Sequence, residues 1–213
     1  MDFIPSASVI AAFSIAAAIL ALTPGPDMTL FVSRALMQGR AAGFAAMVGA
    51  YCGILVHTGL AAFGLSALLA ASPRAFFAVK VAGALYLVWL AVQALRHGSA
   101  LTLERRDKPR QALLQTWLTG IGINLLNPKI VLFFVTFLPQ FVSAGDPDAA
   151  GKLAFLGLYF MAVSLPITSA MVFTADKFSA LLRKSRRVTR TLDYLFAGIF
   201  GTFAAKILLT RSG

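Results

Sequence analysis

Two short segments of this 213-residue chain set prolines beside an ionisable residue inside otherwise apolar sequence: Thr23-Pro24-Gly25-Pro26-Asp27 and Asn127-Pro128-Lys129. A proline within a helix deletes a backbone donor and crowds the preceding turn, and Gly25 between two prolines loosens the chain further. Both segments therefore predict helix breaks, and the first is the more distorted. Asp27 follows its break, where the positive end of a new helix stabilises a carboxylate by about 0.3 to 2 kcal/mol. That is less than the roughly 2.5 to 3.5 kcal/mol that a central Asp costs in a membrane. Lys129 meets the same positive helix end with the wrong sign, so its charge needs an anionic partner elsewhere.

Ionisable residues at membrane depth mark functional sites by default, and two of opposite sign at matching breaks suggest each other as partners. Asp27 and Lys129 are thus expected to approach one another and to bind substrate or couple ions, with Pro24, Gly25, Pro26, Asn127 and Pro128 shaping the site. A static pair that only fixes helix packing, or a snorkelling Lys129, is the alternative. Gly43, Gly49 and Gly53 read as close-packing positions, or as a substrate path. His57 stands alone in apolar sequence and reads as structural, with a proton relay as the alternative. No phosphate-binding loop, HExxH motif or nucleophile elbow appears, so neither ATP hydrolysis nor another enzymatic activity is expected, and no cofactor or metal is required. Cys52 is the one cysteine, which excludes an intrachain disulfide or paired-cysteine relay.

The elements that position these residues must be membrane helices. The chain is 59% hydrophobic and 13% charged, far from the soluble average of about 25% charged. From Phe3 to Pro26 and from Ala41 to Pro73 there is no Asp, Glu, Lys or Arg. Such continuous runs fit spanning helices rather than the alternating strands of a barrel. Six are expected, at roughly 8–36, 43–70, 75–95, 113–142, 152–174 and 192–209, the first and fourth broken at the proline motifs. The N-terminus lacks a basic n-region and reads as a retained first helix.

The net charge of +11 could suggest nucleic acid, but the basic residues cluster in alternate loops. Arg34, Arg40, Arg96, Arg105, Arg106, Lys108, Arg110, Lys177, Arg183, Lys184, Arg186, Arg187 and Arg190 fall on one side; Arg74, Lys80, Lys152 and Arg211 fall on the other. The positive-inside rule places the first group in the cytoplasm and both termini outside. These loops also face anionic lipid, and no nucleic-acid role follows. The chain reads as one transmembrane transporter domain, 1–213, in which a linker at about 97–112 joins repeat one (about 1–96) to repeat two (about 113–213). Three helices per half force the second half to enter from the opposite face, the inverted-repeat arrangement of many transporters. Pro26-Asp27-Met28-Thr29-Leu30-Phe31 and Pro128-Lys129-Ile130-Val131-Leu132-Phe133 match at proline, leucine and phenylalanine.

These motifs, with Gly83-Ala84-Leu85-Tyr86-Leu87-Val88-Trp89-Leu90, Phe133-Phe134 and Phe137-Leu138-Pro139-Gln140-Phe141, resemble the lysine exporter (LysE) family. The likeness is to its RhtB branch of homoserine and threonine efflux proteins, and it spans nearly the whole chain. It implies a multi-pass protein of the bacterial inner membrane that exports amino acids or close derivatives, driven by proton antiport. The small-molecule substrate, protons and membrane lipid are then the partners, and glycine-rich faces permit a homodimer. The readings set against it are a non-transporting membrane scaffold or sensor subunit, and a cadmium-type cation exporter.

Overall fold

The computed structural model describes residues 4–72, 111–143, 146–184 and 186–209, with scattered helical positions between 74 and 96. Among the described residues there is helix and no strand. Helix α1 (Ala7–Leu22) is apolar on all sides and stops at Thr23, whose backbone N–H and hydroxyl both donate to the Ile19 carbonyl, at 2.9 and 2.7 Å. Pro24 and a fully extended Gly25 separate it from α2 (Pro26–Gln38), which starts on a proline. Proline suits that position because the first amide of a helix has no partner to lose. At the other end of α2, Gly39 has φ +94°, a conformation that favours glycine, and turns the chain directly into α3.

Helix α3 (Arg40–Gly59) runs on through a wider π-helical turn at Leu60–Leu65 to Ser66–Ala71. Its spanning stretch, Arg40–Leu68, has 29 residues and a mean hydropathy of 1.6. Helix α4 (Leu113–Leu125) meets α5 (Pro128–Leu132) at the second break; α5 continues through a π-helical turn at Phe133–Phe137 and a 3-10 turn at Leu138–Phe141. Helix α6 (Ala149–Phe173) has 25 residues and a mean hydropathy of 1.8. Both long helices exceed the roughly 20 residues that cross a bilayer. The broken pairs qualify as single spans too: α1 and α2 meet at 51°, and α4 meets the segment Pro128–Phe141 at 50°.

The breaks and the boundaries of the first, second, fourth and fifth expected helices agree with the sequence to within a few residues. The third expected helix and the linker lie largely outside the described residues. Two elements differ from expectation. The basic stretch after α6, read as a loop, is the helix α7 (Ala175–Lys184), and the last helix, α8 (Arg186–Leu209), begins earlier than residue 192. Ala175, Phe178 and Ser179 share one face of α7 and are buried or packed against the core, while Asp176 and Lys177 face outward. One apolar face at helical spacing suffices for a surface helix, and a reading based on charge density passes over it.

Packing rests on aromatic rings and small residues. Phe13 of α1 lies against Phe133, Phe137 and Phe141 of the fourth span, at 5.7, 6.2 and 5.5 Å between ring centres. Helices α3 and α4 cross so closely that a Cβ on Gly49 would strike the Trp117 carbonyl, and one on Gly120 the Ala46 carbonyl. Side chains such as Leu126, Phe63 and Leu114 are exposed at 82%, 78% and 66%, a surface suited to lipid rather than water.

Candidate functional site

At the first break, the end of α1 leaves carbonyls that no helical amide reaches. Lys129 supplies them: its Nζ donates to the Leu20 carbonyl at 3.1 Å and to the Thr23 carbonyl at 2.8 Å. The negative end of α1 thus holds the ammonium, a favourable arrangement at a helix C-terminus. The lysine stem runs beneath Gly25, where an added Cβ would sit 3.1 Å from Nζ and 3.3 Å from Cε. The sequence reading found no local relief for Lys129, because only its own helix was in view. The relief comes from the other half of the chain.

The second break is closed differently. Asn127 is its N-cap residue, its side-chain oxygen accepting the Lys129 backbone N–H at 3.1 Å. Asn124, one turn earlier and fully buried, sends its Nδ2 across to Asp27 Oδ2 at 2.8 Å. The charge at each break is therefore met by groups of the other: the Lys129 ammonium by the carbonyls before Asp27, and the Asp27 carboxylate by Asn124. Asp27 and Lys129 face one cavity without closing an ion pair between them. Asp27 Oδ1 and Asn127 Nδ2 are buried with no well-formed hydrogen bond, an acceptor and a donor left over at the same place.

The cavity is about 40 Å³, lined by Asp27 and Lys129 with Tyr51 of α3 and Ser164 and Thr168 of α6. That is the room of one or two waters. On the far side of the broken segment, Pro24, Gly25, Pro26, Thr29 and Ser33 line an open recess of about 520 Å³, within the range of small-molecule sites. The segment Pro24–Pro26 thus borders the open recess, while Leu20 and Ala21 before it and Asp27 after it line the small inner cavity.

Asn124, Tyr51, Ser164 and Thr168 escaped the sequence reading. A polar side chain in an apolar helix was the available signal, and Pro166, inside α6 between Ser164 and Thr168, was another. Of the glycines singled out, Gly43 packs against Ala35 and Val172, Gly49 forms the α3–α4 crossing, and Gly53 makes room for Asn124, whose Oδ1 a Cβ would meet. His57 is buried behind the site, its Nε2 3.4 Å from the Asn124 carbonyl and its ring stacked on Phe134 at 5.6 Å. Among the described residues no three His, Cys, Asp or Glu side chains gather in a way that could hold a metal ion.

Comparison with known proteins adds the biological context. A family model described as LysE type translocator matches residues 18–211. An uncharacterized membrane protein of Vibrio cholerae is 30% identical over 193 residues, covering 89% of this chain and 91% of that protein. The homoserine/homoserine lactone efflux protein of Salmonella typhimurium is 26% identical over 200 residues, covering 94% and 96%. The leucine efflux protein of Klebsiella pneumoniae is 26% identical over 206 residues, covering 94% of each chain. No solved structure matches significantly.

Proposed function

The chain belongs to the LysE type translocator family, and we propose that it is a secondary exporter of a neutral amino acid or close derivative, exchanging substrate for protons. The observation that carries this reading is the crossed completion of the two breaks around one cavity. The similarity to proteins named for homoserine and leucine efflux supports the substrate class. The near-equal bends of 51° and 50° support two inverted three-helix repeats, about 1–96 and 113–213; the charge asymmetry of the loops supports an orientation with both termini outside the bacterial inner membrane.

In the proposed cycle a zwitterion enters the open recess, and its carboxylate competes with the Leu20 and Thr23 carbonyls for the Lys129 ammonium. Release of those carbonyls frees the Thr23–Pro26 segment, and the substrate ammonium takes Oδ1 of Asp27. A proton arriving at Asp27 from the more acidic outside cancels that attraction and favours release; the protonated carrier then returns. A substrate-driven change of this kind needs a difference in affinity between the two states, and the exchange of carbonyls for carboxylate supplies it.

Proteoliposomes with an imposed pH difference test this. Wild-type protein should accumulate amino acid against its gradient, and Asp27→Asn, which mimics the protonated state, should bind substrate weakly and lose the response to pH. Pumping by Asp27→Asn that still follows the pH difference would refute the coupling role. The competing reading, a static scaffold, draws on the full satisfaction of Lys129 in a small cavity. Transport surviving in the double variant Asp27→Asn, Lys129→Gln would favour it.

A further inference from the structure

Behind Asp27, a buried histidine has no part in the cycle above. Helix α3 passes the end of α4 with Gly53 and His57, which lie one turn apart on the same face. Gly53 leaves room for the Asn124 side chain, and His57 Nε2 lies 3.4 Å from the Asn124 carbonyl. That carbonyl already accepts the Asn127 backbone N–H at 3.0 Å and has a second lone pair for the imidazole. It belongs to the last turn of α4, the negative end of a half-helix. His57 therefore does for α4 what Lys129 does for α1: a side-chain nitrogen from another span meets a carbonyl next to the break. The two nitrogens differ in when they carry charge. The ordinary titration of an alkylammonium falls near 10.4, and that of an imidazole between about pH 5 and 8.

The contact has room to respond to a proton. At 3.4 Å it is longer than the roughly 2.9 to 3.0 Å of an ordinary N–H···O bond, and a charge-assisted one closes to about 2.7 to 2.9 Å. Charging the ring strengthens the bond, and the end of α4 favours the cation. Asn124 carries the effect to the site, because its carbonyl faces His57 while its Nδ2 donates to Asp27 Oδ2 at 2.8 Å. Asp27 of α2 is the charged group whose field reaches the ring, and Arg34 lies two turns further along α2. Helix α4 has no titratable residue, and the fourth span has Lys129 alone. Helix α6 has Tyr159 and Lys152, bonded to Ser14 and Asp146. On α3 itself, Tyr51 and Cys52 stand more than a turn away. Measured along the two helices from Gly39, His57 lies roughly 9 Å beyond Asp27, which is the outer side in the orientation proposed above.

We infer that His57 is a proton-binding residue of the exporter and supplies the counter-charge that replaces the substrate ammonium at Asp27. The inference rests on the proton exchange proposed above and adds a second holder for the coupled proton. A proton from the outer water binds Nδ1 of the neutral ring, while the Nε2–H stays on the Asn124 carbonyl; no other bond forms or breaks. The imidazolium stabilises the Asp27 carboxylate across Asn124, and the substrate ammonium, of like charge, is released outward. On the inner side the proton leaves Nδ1 to water, and a new substrate ammonium takes its place beside Asp27. Asp27 thus meets one cation at a time, from the protein or from the substrate. Two ligands that weaken each other's binding in this way do so reciprocally, as exchange requires.

Proteoliposomes holding the pH-sensitive dye pyranine provide the test, with leucine and homoserine as probes. In wild-type protein a substrate gradient should drive protons the opposite way, and the same probe should exchange with itself at equal pH. His57→Gln keeps an N–H for the Asn124 carbonyl but holds no proton there. It should lower the substrate-driven proton signal about tenfold while slowing self-exchange far less. A full proton signal in His57→Gln, beside its loss in Asp27→Asn, would overturn the inference and leave Asp27 as the one proton holder. Equal loss of exchange and proton signal would overturn it too, assigning His57 to helix packing. Phe134→Leu removes the ring on which His57 stacks but leaves the imidazole, so it should keep the wild-type ratio of proton signal to exchange. A ratio lost in both variants would again mean packing. Exchange by wild type without any proton signal would remove the proton reading and this inference together, with export upheld. Movement of neither probe, nor of any other amino acid, would remove the export reading as well.

Discussion

The two breaks bend the chain by almost the same angle, yet they are stabilised by opposite strategies. At the second the backbone is capped locally: Asn127 accepts the Lys129 backbone N–H, through a bond two residues long. The first has no side-chain cap, and an extended Pro24-Gly25 stretch leaves its carbonyls to a lysine more than a hundred residues away. A break that closes itself is a fixed piece of scaffold. One that depends on a distant charge can open when that charge is drawn elsewhere. In the proposed cycle Thr23–Pro26 is accordingly the moving part and Asn127-Pro128 its support.

Changes at Lys129 should break the contrast most. Lys129→Met keeps the stem but leaves the Leu20 and Thr23 carbonyls without their charged donor, a loss of about 1.5 to 3 kcal/mol for each such bond. Transport should fall below detection and the thermal midpoint of the detergent-solubilised protein should drop. An unchanged midpoint would mean that the first break closes itself after all.

Gly53→Ala presses on the other cross-link, since its Cβ would meet the Asn124 side chain and push it off Asp27. Transport should fall at least about tenfold, given the 1 to 3 kcal/mol at stake in a buried polar bond. Asn124→Ala should reproduce the defect, because both remove the same contact. A wild-type rate in Asn124→Ala would separate Asp27 from the second half of the chain.

Asn127→Ala sharpens the comparison from the other side. Loss of an N-cap costs about 1 kcal/mol. The effect should appear as a modest fall in thermal midpoint with transport reduced less than by Asn124→Ala, since Asn127 caps the support and Asn124 makes the well-formed bond to Asp27. Transport lost outright would make the second break as active as the first.

The smallest effect is expected away from both breaks, where Lys152 Nζ bonds Asp146 Oδ2 at 2.6 Å before and within the first turn of α6. The lysine holds the Asp146 carboxyl below its ordinary range. Its folded pKa is depressed, so the stabilisation is present above the unfolded value and fades as pH falls through the folded one. Asp146→Asn should remove a slight acid-side loss of stability in a pH series of thermal midpoints, and added salt should shrink the difference. An acid-side slope unchanged in Asp146→Asn would show that the pair contributes nothing.

Much of the architecture was legible in the sequence, for identifiable reasons. Uncharged runs such as Ala41–Pro73 force spanning helices because bare backbone cannot sit in lipid, and prolines force breaks because they lack an amide. Those are local properties of composition, so the spans and the two motifs could be placed without a structure. Helix α7 was missed because its apolar face is only a few residues wide.

The site was legible only in part. Asp27, Lys129 and Asn127 announced themselves as polar residues at breaks, but their partners did not. Which carbonyls receive the Lys129 ammonium, which amide reaches Asp27, and that Tyr51 meets Ser164 and Thr168 all depend on helix crossings between distant segments. Charge and cost per residue are properties of the chain alone. Their compensation is a matter of distance in space, set by how closely glycines such as Gly49 and Gly53 let α3 approach α4. The sequence by itself determined that two breaks would carry charges needing relief; only the tertiary structure decided that each break would be relieved by the other.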